Sequence, residues 1–174
     1  MDIYETDPMS RDDIIEYSKQ LRRNFKLGKR LKFPVCEIFE IFPLIFGDCT
    51  TEICPDDELE TDTHATTDIT NKIIKVKESV YEGAISGNGR DRMTLLHEMC
   101  HYILLVVNSM SLTRKYSKKP IPAYKDPEWQ AKAQAGELMM PRNLVCKMSA
   151  EEIAFKCGVS LDSAKLQYKM IHGS

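Results

Sequence analysis

The stretch from about Arg92 to Val107 constrains this chain more than any other feature. Successive residues of an α-helix rotate by about 100°, so Met93, Leu96, Cys100, Leu104 and Val107 would form one apolar stripe. Leu95, Met99, Ile103 and Val106 extend that stripe around most of the circumference. A helix apolar nearly all round belongs in a core. Yet His97, Glu98 and His101 stand inside it, and an unpaired buried carboxylate is costly. A fold built on this helix must give those three groups something to hold.

Their spacing points to a metal. His97 and His101 lie about 40° apart and one turn apart, on one face, which is the geometry two imidazoles need to bind one Zn2+. Glu98 sits on the neighbouring flank, where its carboxylate reaches zinc-bound water without becoming a ligand. Zinc acidifies that water and polarises a carbonyl, while the glutamate takes the proton and passes it to a leaving amine. Two histidines paired by accident in a core are the alternative, and the buried glutamate argues against it.

Such a site needs a third protein ligand and an open position. Asp126-Pro127-Glu128-Trp129-Gln130-Ala131 reads as a helix start, with Asp126 as cap and Pro127 at the first helical position. Glu128 follows His101 by 27 residues, across the loop Ser109–Lys125, which suits a second helix folding back over the first. Spacing alone leaves two alternatives open. Glu128 is also explained as a first-turn acid that favours the helix dipole, and His64, on an expected strand, competes as third ligand. Donor geometry and availability select the metal, so Mn2+ or Fe2+ could occupy the same donors in vivo.

The rest of the chain reads as α+β. Ser10-Arg11-Asp12-Asp13 starts a helix with Ile14, Tyr17, Leu21 and Phe25 on its apolar face, stopped at Gly28. Pro34 opens a second helix that turns Val35, Ile38, Phe39 and Phe42 inward, and Pro43 is expected to end it. Thr50–Cys54 is a short strand; Thr63–Asp68 and Ile73–Lys77 make an antiparallel hairpin turned by Ile69–Lys72. The Gly87-Asn88-Gly89 loop lacks the lysine and spacing of a phosphate-binding loop and leads to a helix capped by Asp91. Ser149-Ala150-Glu151-Glu152 is a capping box, and Gly158-Val159-Ser160 turns into a last helix from Leu161. We expect a domain over 1–145 (N-terminal helices, small mainly antiparallel sheet, His97–His101 helix, Glu128 helix) and a helix-turn-helix-like tail over 146–174 packed on it.

Composition excludes several classes. A net charge of −2 argues against general nucleic-acid binding, and the tail carries no basic footprint. No apolar run is long enough to span a bilayer, and no export signal is visible, so a cytoplasmic location is expected. Cys36, Cys49, Cys54, Cys100, Cys146 and Cys157 form no disulfide framework and read as free thiols. From Tyr17 to Lys32 every charged side chain is basic, and from Cys49 to Thr70 every one is acidic. The first patch reads as a solvated face or, more sharply, a docking surface for an acidic or nucleic-acid-bound partner; alternatively the two patches face one another.

Two blocks in this order resemble a known family. Gly87-Asn88-Gly89-Arg90-Asp91-Arg92-Met93-Thr94-Leu95-Leu96-His97-Glu98-Met99-Cys100-His101 is similar to the catalytic segment of ImmA/IrrE-type metallopeptidases. Asp126–Ala131, continued by Ala135-Gly136-Glu137-Leu138-Met139-Met140-Pro141, resembles that family's third-ligand helix, and Val80-Tyr81-Glu82-Gly83-Ala84 fits upstream. The likeness runs from roughly His64 to Pro141. It implies a site with His97, His101 and Glu128 as metal ligands and Glu98 as general base. It also implies an endopeptidase whose protein substrate is a DNA-binding, helix-turn-helix repressor. Cys100 stands where the family usually has glycine and is expected to pack. Lys132, four residues after Glu128, cannot accept a hydrogen bond from a ligand histidine. A stabiliser for developing oxyanion charge is also needed, with Tyr124 and His64 as candidates. The rival reading is a metal-binding interaction module that captures a repressor or antitoxin-like partner without cutting it. A DNA-binding regulator is a third reading. Oligomeric state is not legible.

Overall fold

In the computed structural model, which describes residues 3–115 and 119–173, the chain is α+β. Residues 116–118 of the expected loop and Ser174 of the expected tail lie outside the described residues. Helix α1 (Arg11–Asn24) opens on a Ser10 capping box closed by Asp13. The chain leaves it through Gly28, at φ +53°. Helix α2 (Val35–Phe46) buries Val35, Ile38, Phe39 and Phe42 as expected, but runs through Pro43 rather than ending there. A helix-interior proline forfeits one backbone bond; here the loss is offset by a face packed on the core, where Phe42 meets the Tyr102 ring edge-on at 5.5 Å.

Strands β2 (Thr50–Cys54), β3 (Ala65–Asp68) and β4 (Ile73–Lys77) form one sheet in the order β2-β4-β3. β3 and β4 are the antiparallel hairpin, whereas β2 runs parallel to β4. Helix α3 (Glu78–Ile85), which no reading of the sequence set apart as an element, follows directly. Helix α4 (Gly89–Tyr102) is capped by Asn88, whose side chain accepts from the Arg90 and Asp91 amides. The expected cap, Asp91, lies inside the first turn. Leu95, Leu96, Met99, Cys100, Ile103 and Leu104 are buried, and Val107 is exposed. The chain continues from α4 as a π-helical turn over Ile103–Val107.

The expected loop holds a strand. β5 (Leu112–Lys115) pairs antiparallel with β1 (Ile3–Thr6) at the start of the chain, and Asp7 reinforces the pair by accepting from the Ser111 amide and hydroxyl at 2.8 and 2.7 Å. Helix α5 (Pro127–Met139) crosses α4 and packs on α1. A short α6 (Arg142–Val145) leads to α7 (Ala150–Cys157) and α8 (Leu161–His172). Ile153, Cys157, Val159 and Ala164 of this tail belong to the same apolar core as α2, α4 and α5.

Charged groups tie the layers together. Arg92 of α4 is buried and donates to the carbonyls of Phe33, Cys157 and Gly158, joining the loop after α1 to the tail. Glu137 of α5, 3% exposed, accepts from Arg142 at 2.6 Å and from Gln167 of α8 at 3.2 Å. The acidic stretch pairs with β4, where Lys75 meets Glu52 and Glu58; just outside both, Lys72 meets Asp48. Among the described residues no salt bridge joins the acidic stretch to the basic one. All six cysteines are free, four of them buried. Among the described residues no helix is long and apolar enough to cross a membrane.

Candidate metal centre

Two helices bring the donors together. His97 and His101 project from one face of α4, with their Nε2 atoms 3.0 Å apart. Asp126 caps α5 by accepting from the Glu128 amide at 2.9 Å, and Pro127 takes the first helical position. Glu128 therefore leaves the first turn of α5 directly over α4. Its two carboxylate oxygens lie 3.1 Å from Nε2 of His97 and of His101 respectively. Gln130 steadies this helix start by donating to the carbonyls of Asp7 and Tyr124 at 2.8 and 2.9 Å.

His97, His101 and Glu128 are the one group of donors among the described residues that could hold a metal ion, with ligand atoms all within 4.8 Å of one another. Their separations suit a small dication. Tetrahedral ligands at about 2.1 Å from a centre stand about 3.4 Å apart, and these three stand slightly closer. The donor chemistry fits as well. Two imidazoles and a carboxylate leave one side of the site open, and Glu128 is 71% exposed there.

The electrostatics of the cluster follow from its hydrogen bonds. Burial disfavours charge on His101, but its bond to Glu128 and the charges of Glu128, Glu98 and Asp126 outweigh that and raise its pKa. The bonds from His101 and His97 hold the Glu128 carboxyl well below the usual carboxylate range. Protonation of His101 and metal binding would therefore compete for the same imidazole.

Glu98 flanks the donors without joining them. Thr67 of β3 lies 2.7 Å from its carboxylate Oε2 and 2.9 Å from its backbone carbonyl. With one hydroxyl proton, Thr67 donates to one of these oxygens at a time. Glu98, His101 and Glu128 line a cleft of about 280 Å3, together with Thr66 and Thr67 of β3, Tyr4 of β1 and Leu112 of β5.

Two sequence candidates lie away from the donors, and Lys132, as expected, does not support them. His64 lies in the bend before β3, where its carbonyl accepts from the Lys77 amide at 3.0 Å; it is outside the donor group and the cleft. Tyr124 is 48% exposed, in a 3-10 turn whose carbonyl contacts are structural, and it does not line the cleft. Lys132 is exposed on a different groove. The tyrosine that does reach the cleft is Tyr4. The β-prone Ile3-Tyr4-Glu5-Thr6 was its signal, but a four-residue strand shows itself only through its partner β5. Cys100 is buried, and burial pushes its thiol pKa well up, as suits a packing residue.

No known family model matches the chain, and no curated protein matches it.

Proposed function

We propose that this chain is a zinc-dependent endopeptidase of the ImmA/IrrE type, and that its substrate is a helix-turn-helix repressor or similar regulatory protein. The observation that carries the reading is the convergence of His97, His101 and Glu128 at a cleft that His101 and Glu128 line together with Glu98. The substrate class rests on the resemblance of the two sequence blocks alone.

A dication held by the three donors would acidify water and polarise a peptide carbonyl. The remaining work falls to the chain. Glu98 takes the proton of the attacking water and returns it to the leaving amine. Thr67 fixes which way that carboxylate points. Tyr4 offers its hydroxyl to the oxygen on which negative charge develops. Thr66 and Ile69 line the same cleft and offer a polar and an apolar surface to an extended peptide.

The Thr67–Glu98 hydrogen bond also suits a second reading, a metal-binding module that captures a regulatory partner without turnover, because a base already engaged is a weaker base. One experiment separates the two. Zinc-loaded protein is incubated with a candidate repressor and the products are resolved by mass spectrometry. The peptidase predicts one discrete cut that Glu98→Gln slows by about 10² to 10⁴-fold, with zinc content unchanged. Tight binding of an uncut partner by the wild type would establish the module instead.

A further inference from the structure

On the far side of α5 from the cleft lies a cavity of about 310 Å3 between α5 and α8. Its walls are apolar: Met93 of α4, Trp129 of α5 and Met140 at its C-cap, and Leu166 and Met170 of α8. Thioether side chains adapt their shape to irregular occupants. Gly136 forms part of the floor, and a Cβ added there would meet nothing within 4 Å. A mid-helix glycine is unfavourable by about 0.5–1 kcal/mol relative to alanine, and packing does not require one here.

The polar groups at this cavity are few: two cations, Gln167 and Ser163, the last already bonded to Ser160. Arg11 and Lys132 line it, and Arg11 lies over the Trp129 ring at 5.0 Å. Neither cation forms a salt bridge among the described residues, and no carboxylate lines the cavity. Glu137 lies nearby but is already held by Arg142 and Gln167. Gln167 also lines the cavity and is 1% exposed; its Oε1 has no hydrogen-bond partner but is itself closed to solvent, so it is not presented to an occupant.

We propose that this cavity is a binding site for a small amphiphilic anion: an aromatic or aliphatic body between Trp129 and the methionines, and a carboxylate or sulfonate toward Arg11 and Lys132. Its volume is at the small end of ligand pockets. The site joins four elements, α1, α4, α5 and α8, and Trp129 is the residue next to Glu128, so an occupant braces the helix that carries the third metal donor. The proposal does not depend on metal or on catalysis.

Trp129 is the chain's single tryptophan, which makes it a reporter confined to this cavity. Metal-free full-length protein is titrated with the aromatic sulfonate 8-anilinonaphthalene-1-sulfonate while Trp129 emission and energy transfer to the dye are followed. The expected result is saturable transfer at one dye per chain. Lys132→Glu, at an exposed position, should weaken it about tenfold or more by reversing one charge, and Gly136→Leu, which fills the floor, should abolish it. Absence of transfer up to about 1 mM dye, a weak limit for a specific site, would overturn the proposal. So would transfer of equal strength in wild type and both variants, or transfer that does not saturate.

Discussion

Thr67 governs the orientation of Glu98 through a single hydroxyl 2.7 Å from the carboxylate. Outer supports of this kind are worth about 10 to 100-fold in metal-site activity. Thr67→Val, which removes the hydroxyl and keeps the shape, should lower kcat toward that extent with KM little changed, and Thr67→Ser should restore it. An unchanged kcat in the valine variant would show that Glu98 is held by its helix alone. Protonation makes a second prediction. Glu128 sits below its unfolded pKa of about 4.3, so its stabilising contribution is present above that value and is lost as pH falls through the folded pKa. His101 is raised above about 6.5, so its contribution is present below that value and is lost as pH rises through the folded pKa. The metal-free protein therefore has both contributions between about pH 4.3 and 6.5, and its melting temperature should carry a shallow maximum there that Glu128→Gln flattens. The exposure of Glu128 keeps the effect small. Zinc should shift the optimum upward, because it binds the deprotonated imidazoles. At this scale the two histidines were legible in sequence because four-residue helical spacing is a local signal. The Asp-Pro helix start placed Glu128 but left it open against His64, and only the resemblance favoured it as donor. Thr67 and Tyr4 were not legible, because they reach the cleft through strand pairings set by distant residues.

The elements around the site are joined by buried charge. Glu137 is nearly inaccessible and depends on Arg142 for its bidentate partner. Arg142→Ala should cost about 3 kcal/mol, the lower end for breaking a buried pair, because Gln167 still donates to the carboxylate. Urea denaturation measures it, and a change under about 0.5 kcal/mol, the range of an ordinary surface substitution, would mean that water replaces the guanidinium. Gly89, at the start of α4, lies so close to the tail that an added Cβ would sit 2.5 Å from the backbone carbon of Val159. Backbone cannot give way as a flexible side chain can, so Gly89→Ala should destabilise by about 1–3 kcal/mol. Element boundaries divided by how local their cause was. Ser10 and Ser149 acted as capping boxes. Pro43, by contrast, failed to stop α2 because tertiary packing on Phe42 outweighed one lost backbone bond. Asn88 displaced Asp91 as cap of α4 because the helix begins at Gly89, earlier than its apolar stripe. The parallel pairing of β2 with β4 has no local signature at all.

For the whole molecule, the tail and the metal helix share one core. Ile153, Cys157 and Ala164 are fully buried, and Arg92 reaches from α4 to the carbonyls that end α7. A chain stopped after Val145 should therefore lose cooperative unfolding and expose the α4–α5 pair, which thermal denaturation with a hydrophobic dye would detect. A sharp transition near the full-length midpoint would instead make the tail an independent appendage. The α+β class followed from the mixture of helical and alternating patterns in the sequence. The depth to which residues 146–174 enter the core did not, since their composition reads equally as a surface appendage. The central claim, that α4 and α5 together form one metal centre, is tested most directly by calorimetric titration of zinc into metal-free protein. We predict one ion per chain, with binding lost in His97→Ala, His101→Ala and Glu128→Ala and retained in His64→Ala. Failure of the wild type to bind zinc, or loss of binding in His64→Ala with retention in Glu128→Ala, would contradict it.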